Sequence, residues 1–285
     1  MREELQRKVN FAIKLLQSAE KMAAKVNQPV EIAYSGGKDS DVILELAKMS
    51  GINYRAIYKC TTIDPAGTIK HALDMGAEIM RPKETFAQLI WRKGFPSRRA
   101  RFCCEALKEY KVLDYAVIGV RREESPKRAE RYKEPEMCRV YTKKSKVRQY
   151  YPILEWTKED VIEFIEERGI KCHPLYYDED GTFHVERRLG CMGCPLMNHR
   201  LRIENFKQHP RMVRLYIRAE KKYWDSHPNL KIREYLNNGY EWFVLQVFCK
   251  SIQDFKERFG RTLFDEPIDC KKFLEDYFGV NLDFE

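Results

Sequence analysis

The chain has 285 residues and a formal charge of +9, with 44% hydrophobic and 33% charged residues. Its 16 Tyr and 15 Phe exclude a disordered or collagen-like chain, and no run comes near the roughly 18 apolar residues that cross a bilayer. Met1-Arg2-Glu3-Glu4 puts charge where a secretory signal needs apolar residues, so a cytoplasmic protein with no membrane partner is expected. The nine cysteines then suggest metal, cluster or redox chemistry before disulfides.

Leu5, Val9, Ile13, Leu16 and Ala19 recur at helical spacing and predict an amphipathic helix over residues 3–25, ended by Asn27 to Pro29. Val30 to Tyr34 reads as a strand that runs into Ser35-Gly36-Gly37-Lys38-Asp39-Ser40 and a helix over 41–49, stopped by Gly51. Tyr54 to Lys59 supplies a second strand and closes a βαβ unit. Helices are predicted over 68–75, 85–92 and 104–113, with strands at 78–80 and 115–120. This alternation predicts an α/β fold, a doubly wound and mostly parallel sheet with helices on both faces. Residues 121–146 are charged and carry Pro126 and Pro135, so they read as a long functional loop or mobile segment, followed by a strand at 147–151. Thr157-Lys158-Glu159-Asp160 resembles a capping box with Asp in the last position, opening a helix that ends at Gly169. Beyond Cys194 the pattern is helical throughout, with an apolar cluster at 242–249 and a helix at 270–278. The expected organisation is an N-terminal helix over 1–27, a nucleotide-binding domain over 28–196 and a helical C-terminal region over 197–285.

Charge is unevenly placed. Residues 91–148 hold 18 Lys and Arg against 8 Asp and Glu, which calls for a phosphate- or sulfate-bearing partner or a solvated basic surface. The strand–glycine–helix junction at Ser35–Ser40 has what phosphate binding needs: glycines that let backbone N–H groups converge, a helix N-terminus, hydroxyls from Ser35 and Ser40, a charge from Lys38, and a possible Mg²⁺ ligand in Asp39. It is neither a Walker A loop nor a dinucleotide fingerprint. Arg121, Arg122 and Arg128 follow a strand end, where ligands of open α/β sheets bind, and their guanidinium forks match phosphate or sulfate oxygens.

The hexapeptide is the signature of the PP-loop ATP pyrophosphatases, and the chain over about residues 28–196 resembles their phosphoadenosine-phosphosulfate (PAPS) reductase-like family, with its adenine nucleotide alpha hydrolase-like fold. Thr61-Thr62-Ile63-Asp64-Pro65 resembles the family's second nucleotide-side segment. Gly119-Val120-Arg121-Arg122-Glu123-Glu124-Ser125-Pro126-Lys127-Arg128 is similar to its arginine-rich substrate loop, and Tyr151-Pro152-Ile153-Leu154-Glu155-Trp156 to Val161, then His173-Pro174-Leu175-Tyr176, to its later motifs. The resemblance implies a nucleotide bound by Ser35 to Ser40, Thr62, Asp64, Gly119, Arg121, Arg122 and Ser125. It also implies chemistry carried by Lys38, Asp39, Ser40 and Arg128.

Two features depart from the family's reductases. Their phosphate loop is usually degenerate, whereas this one is intact, and their C-terminal Glu-Cys-Gly-Leu-His is replaced here by Asp269-Cys270-Lys271-Lys272. The intact loop argues that ATP with Mg²⁺ is split between its α and β phosphates, adenylylating an acceptor for later sulfur transfer. A sulfonucleotide reductase with a noncanonical thiol is the alternative. A third reading is a nucleic-acid partner with a regulatory nucleotide site, prompted by the basic stretch with Tyr132, Tyr141, Tyr150 and Tyr151. Expected partners are a nucleotide, an anionic substrate and a sulfur donor protein such as a cysteine desulfurase.

Cys103-Cys104 and Cys191-Met192-Gly193-Cys194 supply four thiols, suited to zinc, an iron–sulfur cluster or a redox dithiol. Neighbouring side chains diverge by about 100° on a helix, so directing Cys103 and Cys104 to one zinc ion is awkward, while a [4Fe–4S] cube presents separate corners. The paired layout resembles that of iron–sulfur adenosine-phosphosulfate reductases and DNA phosphorothioation proteins.

Overall fold

Apolar residues alternate along the first strands and so give the sheet two different faces. Val30, Ile32 and Tyr34 of β1 (Val30–Tyr34) enter the core, while Glu31 and Ala33 face the other way. The computed structural model describes residues 1–142, 145–260 and 266–284. β1 pairs in parallel with β2 (Tyr54–Lys59) on one side and β4 (Tyr115–Val117) on the other; β2 continues to β3 (Glu78–Met80) and β4 to β6 (Ser145–Tyr150). β5 (Glu136–Thr142) adds an antiparallel edge, giving the order β3-β2-β1-β4-β6-β5. The order reverses at β1, so the crevice beyond the ends of β1 and β4 is the place where such a sheet takes a ligand.

The chain folds as two compact units. The first comprises Met1–Cys60, Asp64–Pro82 and Leu107–Leu189, and contains the whole sheet. In it, α1 (Glu3–Ala24) and α2 (Lys38–Ser50) pack together over β1, and α7 (Lys158–Arg168) packs on α2. α3 (Thr68–Asp74) lies beside β3. The second unit comprises Thr61–Ile63, Lys83–Ala106 and Gly190–Glu285. It holds α4 (Phe86–Lys93), most of α5 (Phe102–Leu107), α8 (His199–Gln208), α9 (Pro210–Ser226), α10 (Gly239–Phe248), α11 (Ile252–Phe259) and α12 (Cys270–Phe278). α9 is its centre, packed on α4 and α10, with Tyr216 meeting the rings of Phe86, Phe95 and Phe206 at 4.9 to 5.6 Å. No helix among the described residues is long and apolar enough to cross a membrane.

The described residues of the expected loop at 121–146 hold regular elements instead. Ser125 caps α6 (Pro126–Arg131) by accepting from the Arg128 N–H at 3.3 Å, Pro126 sits in the first turn where its missing N–H costs nothing, and Glu136 to Thr142 forms β5 against β6. The helix expected over 104–113 is α5, shorter and shifted to Phe102–Leu107; the strand expected to reach Val120 ends at Val117.

The capping box forms as the sequence suggests: Thr157 Oγ1 accepts from the Asp160 N–H at 3.2 Å and Asp160 Oδ2 from the Thr157 N–H at 2.8 Å. Asp160 also takes Lys8 Nζ at 2.6 Å and Arg2 Nη2 at 3.0 Å, tying α1 to α7. Burial pushes its carboxyl up, but the bonds from Lys8 and Thr157 prevail and hold it below the usual range. Its contribution is therefore full above the unfolded pKa and is lost as pH falls through the folded one. Asp160→Ala should cost about 2 kcal/mol in urea unfolding at pH 7, with the difference shrinking below pH 4; equal midpoints for variant and parent at pH 7 would contradict this role.

Candidate functional site

The turn between β1 and α2 is built without room for side chains. Gly36 has φ +76°, and a Cβ there would stand 3.1 Å from Thr68 Cγ2 and 3.3 Å from Leu189 Cδ2. Gly37 is the N-cap of α2 with no side chain satisfying the first turn, so the positive end of the helix faces the loop. Ser40 Oγ donates to the Gly37 carbonyl at 2.7 Å and lies 3.2 Å from Ser35 Oγ. The Tyr176 hydroxyl hydrogen-bonds to the backbones of Lys38 and Leu189, and Lys38 Nζ lies 5.4 Å from the centre of its ring. Burial pushes that phenol up to about 12.

Asp39 is held from two sides, with Arg121 Nε at 2.7 Å from Oδ1 and Lys38 Nζ at 3.0 Å from Oδ2. Arg121 is 5% exposed and also donates to Glu123 at 2.9 Å. Gly119 explains how the loop after β4 comes so close: a Cβ there would stand 3.0 Å from the Asp39 carbonyl oxygen. Arg128 pairs with Glu124, and its guanidinium is held below its ordinary range by burial and then by the charge of Arg188, with Arg121 adding to the effect. Arg188 in turn donates to the Glu124 carbonyl at 3.4 Å. Lys38, Arg121 and Arg128 thus gather at Asp39, with Arg188 beside Arg128 and with Glu123 and Glu124 as further counter-charges.

Other expected site residues have different surroundings. Arg122 turns to the carbonyls of Tyr132 and Lys133 and to the Glu155 carboxylate, so its fork is already engaged. Ser125 serves as the cap of α6. Asp64 is half-buried beyond β2. Thr62, a β-branched residue at φ +64°, accepts from the Phe86 N–H at 2.9 Å and so starts α4. Several basic side chains of the stretch are paired within the protein, as in Arg139–Glu109 and Arg148–Glu136; Lys143 and Lys144 lie outside the described residues, as does the side chain of Tyr141. Tyr150 and Tyr151 are buried, with Tyr132 edge-on to Tyr151 at 4.9 Å.

Sequence reasoning missed three features. Arg188 stands beside Arg128, and the doublet Arg187-Arg188 just before the Cys-x2-Cys turn was its available signal. Beneath α2, the fully buried Asp41 accepts from the Tyr34 hydroxyl and faces His71 Nε2 at 3.2 Å. His173, beside Thr68 at 3.3 Å, is pushed down to about 4 by burial and by His71. On the other sheet face a cavity of about 190 Å³ reaches Ser35; Ala33, Ile57, Ala116 and Ile118 line it, and at its polar end buried Glu31 pairs with Lys59 at 3.2 Å.

The second unit gathers the four expected cysteines. Cys103 and Cys104 are neighbours on α5, and the Cys103 thiol is raised by its hydrogen bond with Cys104, by burial and by the charges of Cys104, Cys194 and Cys191. Cys191 Sγ lies 3.6 Å from Thr61 Oγ1. Among the described residues no three His, Cys, Asp or Glu are placed to hold a single metal ion. The four thiols are close enough for Cys104, Cys191 and Cys194 to act electrostatically on Cys103.

The Cys191–Cys194 turn is braced by α8 and α9. Arg202 Nε donates to the Gly193 carbonyl at 3.1 Å, the Gly193 N–H to Asn205 Oδ1 at 2.7 Å, and the Tyr216 hydroxyl to the Met192 carbonyl at 2.8 Å. Behind them Glu220 is 0% exposed, and burial pushes its carboxyl up to about 8 against the opposing charge of Arg202.

Sheet order, loop and crevice define an adenine nucleotide alpha hydrolase-like protein. Within that class the chain belongs to the phosphoadenosine phosphosulfate reductase domain family, whose sequence profile matches residues 29–197. It is 36% identical over 132 residues to an uncharacterized 37.8 kDa protein of Escherichia phage 186, covering 41% of this chain and 37% of that one. It is 27% identical over 219 residues to the uncharacterized protein MJ0066 of Methanocaldococcus jannaschii, covering 71% and 44%. The chain spans less than half the length of these curated relatives. A PAPS reductase from Candida auris, solved with phosphate, superposes with a TM-score of 0.42 at 16% identity over 68% of this chain and 97% of that one.

Glu220 makes a signed pH prediction. Its folded pKa lies above the unfolded value of 4.5, so the stability linked to its neutral form is complete below about 4.5 and is lost as pH rises through about 8. Glu220→Gln should match or exceed the parent at pH 9 and lose less stability than the parent between pH 6 and pH 9, by on the order of a few kcal/mol in urea unfolding. Parallel pH profiles for the two proteins would show that Glu220 titrates normally.

Proposed function

We propose that the protein binds ATP at Ser35–Ser40, cleaves it between the α and β phosphates, and transfers the adenylyl group to an acceptor that is then a target for sulfur transfer. One observation carries this reading: the phosphate loop is complete, and its Asp39 is clasped between Arg121 and Lys38 at hydrogen-bond distance. Backbone N–H groups around Gly36 and Gly37, with the start of α2, suit the β and γ oxygens; Ser40 and Lys38 add a hydroxyl and a charge. Arg128 and Arg188 suit the charge that develops on departing pyrophosphate. The acceptor oxygen forms its bond to the α phosphorus as the bond from that phosphorus to the bridging oxygen breaks; pyrophosphate leaves with that electron pair, and the acceptor proton passes to solvent. The cavity that reaches Ser35 suits the base, with apolar walls and a polar end at Glu31 and Lys59.

Mg²⁺, when bound, would neutralise the phosphates. Asp39 is the carboxylate able to join the phosphates in holding it, at the expense of its contact with Lys38. Cys103, Cys104, Cys191 and Cys194 would hold an iron–sulfur cluster, which in this reading is structural or handles sulfur. A sulfur donor protein, such as a cysteine desulfurase, is the partner this sequence of steps requires. The reductase alternative has a thiol candidate in Cys270, but burial pushes that thiol up to about 12, so it is neutral at physiological pH and a weak nucleophile.

Asp39→Ala and Ser40→Ala should each lower ATP-dependent pyrophosphate release by about 10²-fold or more with unchanged circular dichroism. Pyrophosphate release at the parental rate in both variants would end the proposal.

A further inference from the structure

We infer that the helical region beyond the family match is a working part of the cysteine centre, with Arg202 and Tyr216 as positioning residues of the Cys191–Cys194 turn and Arg202 as its buried counter-charge. The family match ends at residue 197, and nothing in it gives the helices beyond a task. Yet three side chains from those helices, Arg202, Asn205 and Tyr216, take up the backbone polar groups of Met192 and Gly193 between the two cysteines. The fit is steric as well. Gly193 has φ +64°, and a Cβ there would stand 2.4 Å from Phe206 Cε1, so α8 is shaped to a turn that only glycine can make at this place.

Electrostatics points the same way. Arg202 is 7% exposed, with its guanidinium 4.7 Å and 5.7 Å from the ring centres of Phe95 and Phe206. Its Nη2 has no partner among the described residues, and Glu220, the carboxylate that acts on it, has both oxygens without one. Burying a guanidinium with a donor unsatisfied is costly, and joining helices would not require it. Protonated Glu220 leaves the arginine's charge uncancelled at neutral pH, and Cys194 is among the groups that act on it. A fixed positive charge behind a set of thiolates lowers the cost of gathering them, whatever they hold, and favours the reduced state of a bound cluster.

The inference rests on the cysteine reading given above, and its test separates the two. Full-length Arg202→Lys, Arg202→Met and Tyr216→Phe are compared with the parent. In metal-free reduced protein, amide exchange at Met192 and Gly193 should quicken by about tenfold or more in Arg202→Met and Tyr216→Phe, while α10 keeps its protection. After anaerobic reconstitution with iron and sulfide, Arg202→Met should retain less iron, with a lower midpoint potential for what remains. Arg202→Lys, which keeps the charge, should stay nearer the parental potential, a difference that a purely structural role does not produce. Parental exchange, iron content and potential in Arg202→Met would overturn the inference. If the parent takes up no iron, the cluster reading falls, and the exchange measurement alone decides whether the helices position the turn.

Discussion

The first unit depends on one buried guanidinium. Arg121 joins the segment after β4 to the first turn of α2 through Asp39, and it does so where the chain has made itself thin, at Gly119 against the Asp39 carbonyl. Without that clasp, Asp39 would keep only its contact with Lys38. The contact also sets what the loop can do. In the proposed reaction, a carboxylate already paired with two cations would exchange one of them for a metal ion at little cost in reorganisation. Asp41, in the same first turn of α2, adds a buried contact to Tyr34 and His71, so this end of the helix is held from a second side.

The second unit follows the same logic with different chemistry. Its turn of two cysteines is short, carries a left-handed glycine and offers backbone groups that need partners; α8 and α9 provide those partners from a part of the chain rich in aromatic residues. The rings of Phe95 and Phe206 against Arg202, and the full burial of Glu220, make both groups electrostatically expensive. Such expense is commonest where a protein needs charge in a fixed place.

Much of the fold was legible because it is written in short-range signals. Strands β1 and β2, the helix ended by Gly51, the capping box at Thr157 and the helix at 270–278 each follow from periodicity or from one residue's conformational needs. Within 121–146, β5 was misread because it forms by pairing with β6, a partner that local charge and proline content do not reveal, whereas α6 follows from the Ser125 cap and Pro126, a local signal that was passed over. The candidate site divided in the same way. Gly36, Gly37, Lys38, Asp39 and Ser40 are contiguous and show their purpose together. Arg121 and Arg122 look alike in sequence, yet one turns to Asp39 and the other to the carbonyls of Tyr132 and Lys133. Arg188 meets Glu124 and Asp41 meets His71 across long stretches of chain, while Arg202 acts on a nearby turn whose shape no local pattern gives away; formal charge alone also does not say which side chains of the basic stretch pair internally.

The central claim is that the intact loop directs cleavage at the α phosphorus. Incubation with Mg²⁺ and ATP carrying separate labels on the α and γ phosphates, with water as the slow acceptor, reads the broken bond directly. The account predicts labelled AMP and labelled pyrophosphate in equal amounts, dependent on Asp39. Labelled ADP with free phosphate, or sulfite released from a sulfonucleotide while ATP stays intact, would contradict it.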